Sequence, residues 1–251
     1  MRHTIFLSLL LATATTAVTT TAMAAPRDYA AAVAFKGRPA EAMAMDAGRK
    51  PAEILDFMQL KPGMKAIDVL TGTGYYAEIM AQVVGAGGSV VAFEPQAMID
   101  AKAKTDLDAL AAREPNFRLT TSLPAALTPN TYDFAMIHLN YHDFYWESEK
   151  YHFPRIDPNM VLASLFRAMK PGGIVSIVDH VGPAGDTRAI VEKLHRIDPE
   201  TVKADFKRAG FILEAQSDLL KTPSDDHTKI VFDPAVRGKT DRFAFRFRKP
   251  A

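Results

Sequence analysis

An acid, two hydroxyls and two glycines stand close together in Asp68-Val69-Leu70-Thr71-Gly72-Thr73-Gly74, and Glu94 follows twenty residues after Gly74. Glycines at that spacing let the backbone turn sharply and let a ligand approach with no Cβ in the way. A carboxylate placed like Glu94 can accept two hydrogen bonds from a sugar diol. Further along come Asn140-Tyr141-His142-Asp143 and then Asp179-His180. Imidazoles beside carboxylates can take up or release a proton near neutral pH. His142 is the first candidate for a base and His180 the second, with Asp143 or Asp179 orienting a ring. The structural alternative is that these histidines cap strands or bond backbone carbonyls. His138 reads as a satisfied core histidine within a strand. His138, His142, His152 and His180 form no tight ligand motif such as H-E-x-x-H, so no metal site is expected. The chain has no cysteine, which excludes disulfides and thiolate chemistry.

These residues need elements to position them. Apolar, β-branched runs predict strands over 65–70, 89–94, 117–120, 132–139, 174–181, 211–217 and 242–248. Helical spacing predicts helices over 51–60, 76–84, 96–113, 159–169 and 198–209, with Lys170-Pro171-Gly172-Gly173 ending the fourth. Alternating strands and helices imply an α/β fold with a parallel sheet wound on both faces. Residues 218–240 carry no helical period, so the last two strands should be antiparallel neighbours. In such sheets ligands bind beyond the carboxyl ends of the strands, where Gly72, Glu94, Asn140 and His180 all fall. Residues 141–153 hold six of the chain's 23 Phe, Trp and Tyr residues. They read either as a lid over an apolar or aromatic acceptor or as a satellite core under a long connection.

Residues 1–24 have the polar start, apolar block and Ala22-Met23-Ala24 ending of a secretory leader. The apolar block is about 7 residues where a membrane span needs ~20. A periplasmic or secreted bacterial protein, cleaved after Ala24, is expected, with an N-terminal arm over 25–50 and one domain over 51–251. Arg2 is the leader's only charged residue, so the remainder balances 29 acidic residues with as many basic ones. Neutrality disfavours nucleic-acid and anionic-membrane partners and favours a small-molecule acceptor. Nothing in the sequence fixes the oligomeric state.

GTGYYA at 72–77 fits both the dinucleotide fingerprint G-x-G-x-x-A and the turn that binds S-adenosylmethionine (SAM). The KPGG turn and the late antiparallel pair separate the two. With AIDVLTGTGYYAEIMA, SVVAFEP, YDFAMIHLNYHDF, LFRAMKPGGIVSIVDH and GFILEAQSD, they resemble the class I SAM-dependent methyltransferases over about 51–249. More narrowly, RKPAEIL at 49–55, NYHDF at 140–144, VDH at 178–180, HRID at 195–198 and FDPAVRGKTDRF at 232–243 resemble a family of predicted bacterial methyltransferases with secretory leaders. The resemblance implies a single Rossmann-like, doubly wound, seven-stranded sheet of order 3-2-1-4-5-7-6, with the last strand antiparallel. It implies that Asp68 and the Thr71, Gly72, Thr73 and Gly74 backbone hold the methionine end of SAM, and that Glu94 holds the ribose. Ser122 takes the position of an adenine-binding acid, and Asn140 and Tyr141 lie beside the methyl group. Leu70 replaces the first glycine of the usual turn. Methyl transfer to a small acceptor is the activity implied, assisted by His142, Asp143 or His180. A non-catalytic binding protein on the same fold is the alternative, and an NAD-dependent oxidoreductase ranks last.

Overall fold

The computed structural model describes residues 28–121, 127–151 and 153–251. The leader assignment over 1–24, Ser122 and His152 therefore lie outside the described residues. Seven strands form one sheet: β1 (Lys65–Val69), β2 (Ser89–Phe93), β3 (Phe117–Thr120), β4 (Tyr132–His138), β5 (Met169–His180), β6 (Ile212–Ser217) and β7 (Arg242–Arg248). Their spatial order is β3-β2-β1-β4-β5-β7-β6. β7 runs antiparallel to both of its neighbours, and the pairs among β1 to β5 are parallel. The expected architecture and order are those observed.

Both sheet faces are covered, and the sequence shows why. Along β1 and β4, successive side chains point to opposite faces. Ala66, Phe134 and Met136 join one hydrophobic cluster, while Ile67, Val69, Ala135 and Ile137 join the other. With apolar residues needed on both faces, these strands read as nearly continuous apolar runs, interrupted in β1 by Asp68. Each large side chain buried this way contributes about 1.5–3 kcal/mol.

The helices α1 (Tyr29–Val33), α2 (Ala40–Met43), α3 (Asp46–Arg49) and α4 (Pro51–Phe57) precede β1. Within residues 28–50, Tyr29 is buried and its hydroxyl donates to the Leu60 carbonyl at 2.7 Å. α5 (Tyr75–Val84) follows β1. The single long helix expected over 96–113 is a 3₁₀ turn at Gln96–Met98 followed by α6 (Ala101–Arg113). The break is a cap: the Asp100 carboxylate accepts the Ala103 N–H at 2.7 Å, an arrangement that starts a helix rather than continuing one. α7 (Pro158–Ala168) ends where β5 begins, and Lys170 to Gly173 belong to β5 itself. There the register with β4 shifts between Tyr132 and Phe134. α8 (Thr187–Leu194) was not anticipated from the sequence. Its buried residues are Val191 and Leu194. α9 (Pro199–Arg208) matches the last helix.

Gly74 shows how tightly the site's turn is built. Its φ is 88°, and a Cβ there would sit 2.7 Å from Leu110 Cδ2 on α6. Gly74→Ala is expected to destabilise the protein by about 1–3 kcal/mol, combining backbone strain with overpacking. Urea unfolding of the two proteins measures it.

Candidate active site

The carboxyl ends of β1, β2 and β4 are tied together by short hydrogen bonds. The Thr71 N–H donates to the Phe93 carbonyl at 3.1 Å and the Gly74 N–H to the Thr71 carbonyl at 3.0 Å. The Gly72 N–H donates to Glu94 Oε2 at 2.7 Å. The Thr71 hydroxyl donates to Asp68 Oδ2 at 2.6 Å, and Thr73 stands exposed on the turn. Leu70 has φ 55°. The chain therefore keeps the left-handed backbone that a glycine ordinarily supplies, at a cost of about 1–2 kcal/mol.

Leu139 repeats this at the end of β4, with φ 60°. That conformation aims Asn140 back at β1, where its Nδ2 donates to the carbonyls of Val69 at 2.9 Å and Leu70 at 2.6 Å. Asn140 Oδ1 is buried and has no partner among the described residues. An unmet buried acceptor costs about 1–3 kcal/mol, so this atom is poised for a donor. Two carboxyls share the cradle. Burial, foremost, and the nearby Glu94 charge push Asp68 up to about 7, against the Thr71 hydrogen bond. Burial, followed by the Gly72 hydrogen bond that opposes it and the Asp143 charge, leaves Glu94 at about 7. Glu94 gives one oxygen to Gly72, so one oxygen rather than two is open to a diol.

The histidine cluster lies at the ends of β4 and β5. Asp179 is fully buried. Its Oδ2 accepts the His142 N–H at 2.9 Å, and its Oδ1 lies 2.8 Å from His142 Nδ1 and accepts the His180 N–H at 2.7 Å. Asp143 Oδ1 lies 3.4 Å from His142 Nε2. Burial opposes a charge on His142, but Asp179 and Asp143 outweigh it and raise its pKa to about 9. At neutral pH His142 already holds the proton that a base would accept. His180 is the opposite: burial, aided by the charges of His142 and Arg242, holds it well below its ordinary value, so it is neutral. Its Nδ1 lies 2.7 Å from the Thr240 hydroxyl. Among the described residues, ligand atoms of His142, Asp143 and His195 lie within 4.8 Å of one another, a spacing that could hold a metal ion. The His142 proton supplies positive charge to the same Asp143 carboxylate. His138 departs from the expectation of a satisfied core residue. Neither of its buried ring nitrogens has a partner among the described residues, and it packs on the Tyr76 ring at 4.5 Å.

The Tyr141 side chain, expected beside the methyl group, is directed into the core. Its ring is fully buried among Phe144 and Phe206, and its hydroxyl donates to Asp205 on α9 at 2.8 Å. Aromatic bulk drives the ring into the core, and the carboxylate satisfies its polar end. Tyr141→Phe is expected to cost about 1 kcal/mol of stability, since Tyr145 still donates to Asp205. Denaturation curves test this. The rest of the aromatic segment divides between the two readings made of it. Phe144 and Phe153 are buried, whereas Trp146 and Tyr151 join His195 and Phe232 around a cavity of about 530 Å³.

Phe232 also lines a second cavity, of about 650 Å³, with Arg49, Leu139, His180, Arg237 and Arg242. Arg49 escaped the sequence reading. Its guanidinium lies 4.2 Å from the centre of the Tyr75 ring, beside the glycine turn. Its only sequence signal is membership of RKPAEIL. Arg196 is fully buried against Asp225 at 2.9 Å, and Asp198 caps α9 by accepting the Glu200 N–H at 2.9 Å.

Residues 27–123 match the family of protein-L-isoaspartate(D-aspartate) O-methyltransferases. A demethylmenaquinone methyltransferase of Bacillus cereus is 26% identical over 131 residues, 52% of this chain and 51% of that protein. The match spans about half of that relative's length. A SAM-dependent methyltransferase from Aquifex aeolicus superposes with a TM-score of 0.59 at 20% identity, over 88% of this chain and 98% of that one. Phosphoethanolamine N-methyltransferase 2 of Haemonchus contortus, solved in complex with S-adenosyl-L-methionine, gives 0.56 at 15% identity, over 90% of this chain and 60% of that one.

Proposed function

We propose that this chain, which has the fold of the class I SAM-dependent methyltransferases, binds SAM and transfers its methyl group to a small acceptor with an apolar or aromatic body. The cradle at the ends of β1, β2 and β4 carries this reading. It presents the unmet Asn140 Oδ1 and two carboxyls held near 7 by burial, which fits a ligand that is cationic and rich in donors. Gly72 fits as well, because nothing lies within 4 Å of where its Cβ would be.

When bound, SAM supplies an electrophilic methyl group on a sulfonium. Asp68, Asn140 and the backbone from Thr71 to Gly74 hold the methionine end. Arg49, whose guanidinium lies over the Tyr75 ring beside the turn, takes the carboxylate. The open Glu94 oxygen takes a ribose hydroxyl, and Ser122 is assigned to the adenine on the resemblance alone. His180 lines the 650 Å³ cavity in neutral form. With Nδ1–H given to Thr240, its Nε2 can accept the acceptor's proton. Asp143 and Asp179 fix the His142 imidazolium beside it. Alignment of donor and acceptor is the main work such a site performs. Leu139, Val231 and Phe232 supply the apolar wall.

Calorimetry on the full chain tests the cofactor. Heat is expected with SAM and S-adenosylhomocysteine and none with NAD, and no heat with either adenosyl ligand overturns the proposal. Export rests on the leader-like residues 1–24 alone. A secreted product whose intact mass starts at Ala25 is expected, and a full-length mass opposes it.

A further inference from the structure

The 650 Å³ cavity has an unusual charge balance. Arg49, Arg237, Lys239 and Arg242 line it, and among the described residues no acidic one does. Arg242 is 5% exposed. Its Nη1 donates to the Gly48 carbonyl at 2.9 Å and its Nε to the Thr240 hydroxyl at 3.1 Å. Its Nη2 has no partner among the described residues, and no carboxylate there forms an ion pair with it. Burial first, and then repulsion from Arg49, lower its pKa, against the attraction of Asp179. A buried cation without an ion-paired carboxylate is costly, and its usual complement is a carboxylate or phosphate that its planar fork can hold in two bonds. Arg237 and Lys239 stand exposed at the rim, and neither has an ion pair among the described residues. Arg49, beside Tyr75 and the turn, meets the one carboxylate that SAM carries. Three cations remain.

We propose that Arg242, Arg237 and Lys239 form an anion subsite that binds a carboxylate or phosphate group of the acceptor, placing its reactive atom beside His180. This rests on the reading of the cavity as the acceptor site. Thr240 supports it by construction: its hydroxyl contacts both Arg242 Nε and His180 Nδ1, so one residue sets the anion-binding and proton-accepting groups relative to each other. β7 begins at Arg242 directly opposite His180 in the sheet register. Three of the segments that carry the narrower resemblance, around 49–55, 178–180 and 232–243, thereby meet in one cavity.

The test titrates inorganic phosphate and benzoate separately into the full chain saturated with S-adenosylhomocysteine. Stoichiometric binding of at least one is expected, and which one binds names the anionic group. Arg242→Gln should weaken it by about tenfold or more. Because Arg242 also holds Gly48, the exposed pair Arg237→Gln with Lys239→Gln serves as a second variant, expected to lose severalfold. Arg49→Gln should instead weaken S-adenosylhomocysteine. Failure of both probes at millimolar concentration overturns the subsite. So does anion binding that disappears on saturation with S-adenosylhomocysteine, which would assign all the cations to the cofactor. If S-adenosylhomocysteine itself does not bind, the cofactor reading falls, and the same titrations on the free chain decide the subsite by itself.

Discussion

Glu94→Ala is expected to weaken SAM binding by about 1–3 kcal/mol, or roughly 5- to 150-fold. The residue does two things in one place. Oε2 accepts the Gly72 N–H at 2.7 Å, which fixes the turn, and the other oxygen is open for a ribose hydroxyl. Alanine removes both and leaves the Gly72 N–H without its acceptor. Glu94→Gln separates the two contributions. Its amide oxygen can still receive the Gly72 N–H, while its charge is gone, so a loss close to that of alanine would put the effect on the carboxylate's charge. A smaller loss would put it on the shape of the turn. Calorimetry with SAM reads both variants, and wild-type affinity in Glu94→Ala would remove the ribose site from this end of β2.

The sheet was legible because burial on both faces demands apolar residues along the central strands, as at Ala66, Ile67 and Val69 and from Phe134 to Ile137. The antiparallel end was legible from the missing helix between β6 and β7. What stayed hidden depends on contacts between residues distant in sequence. Asp179 holds His142 across 37 positions, and that contact, not the residue type, decides that His142 is a cation and His180 is not. The left-handed backbone at Leu70 and Leu139 is invisible in their identities, since leucine ordinarily avoids it. Tyr141 and Asn140 are adjacent in sequence yet serve opposite ends of the structure, the core and the turn. Arg49 and Arg242 approach each other only once α3 folds against the start of β7, where the Gly48 carbonyl meets the Arg242 guanidinium.

SAM affinity is expected to rise steeply with pH through about 7, with protons released on binding. Asp68, raised from 3.8 to about 7, faces Thr71, Glu94 and Arg49. Glu94, raised from 4.5 to about 7, faces Gly72 and Asp143. In the folded apo protein both carboxyls keep protons that the unfolded chain gives up. The native state therefore binds more protons between about 4 and about 7, and the stability these groups contribute falls as pH rises across that window. A cationic ligand reverses the balance. It favours the carboxylates, so below pH 7 each group that must ionise lowers affinity by up to about tenfold per pH unit. His142 stays protonated throughout this window, since its value is about 9, and burial holds His180 well below its ordinary value. Titrations between about pH 6 and about pH 8 in two buffers of different ionisation enthalpy count the protons directly. Asp68→Asn should remove one of the two releases and flatten the slope, without abolishing it. Affinity independent of pH, with no proton exchange, would place both carboxyls outside the cofactor site, and the cradle at the end of β1 would then need another ligand.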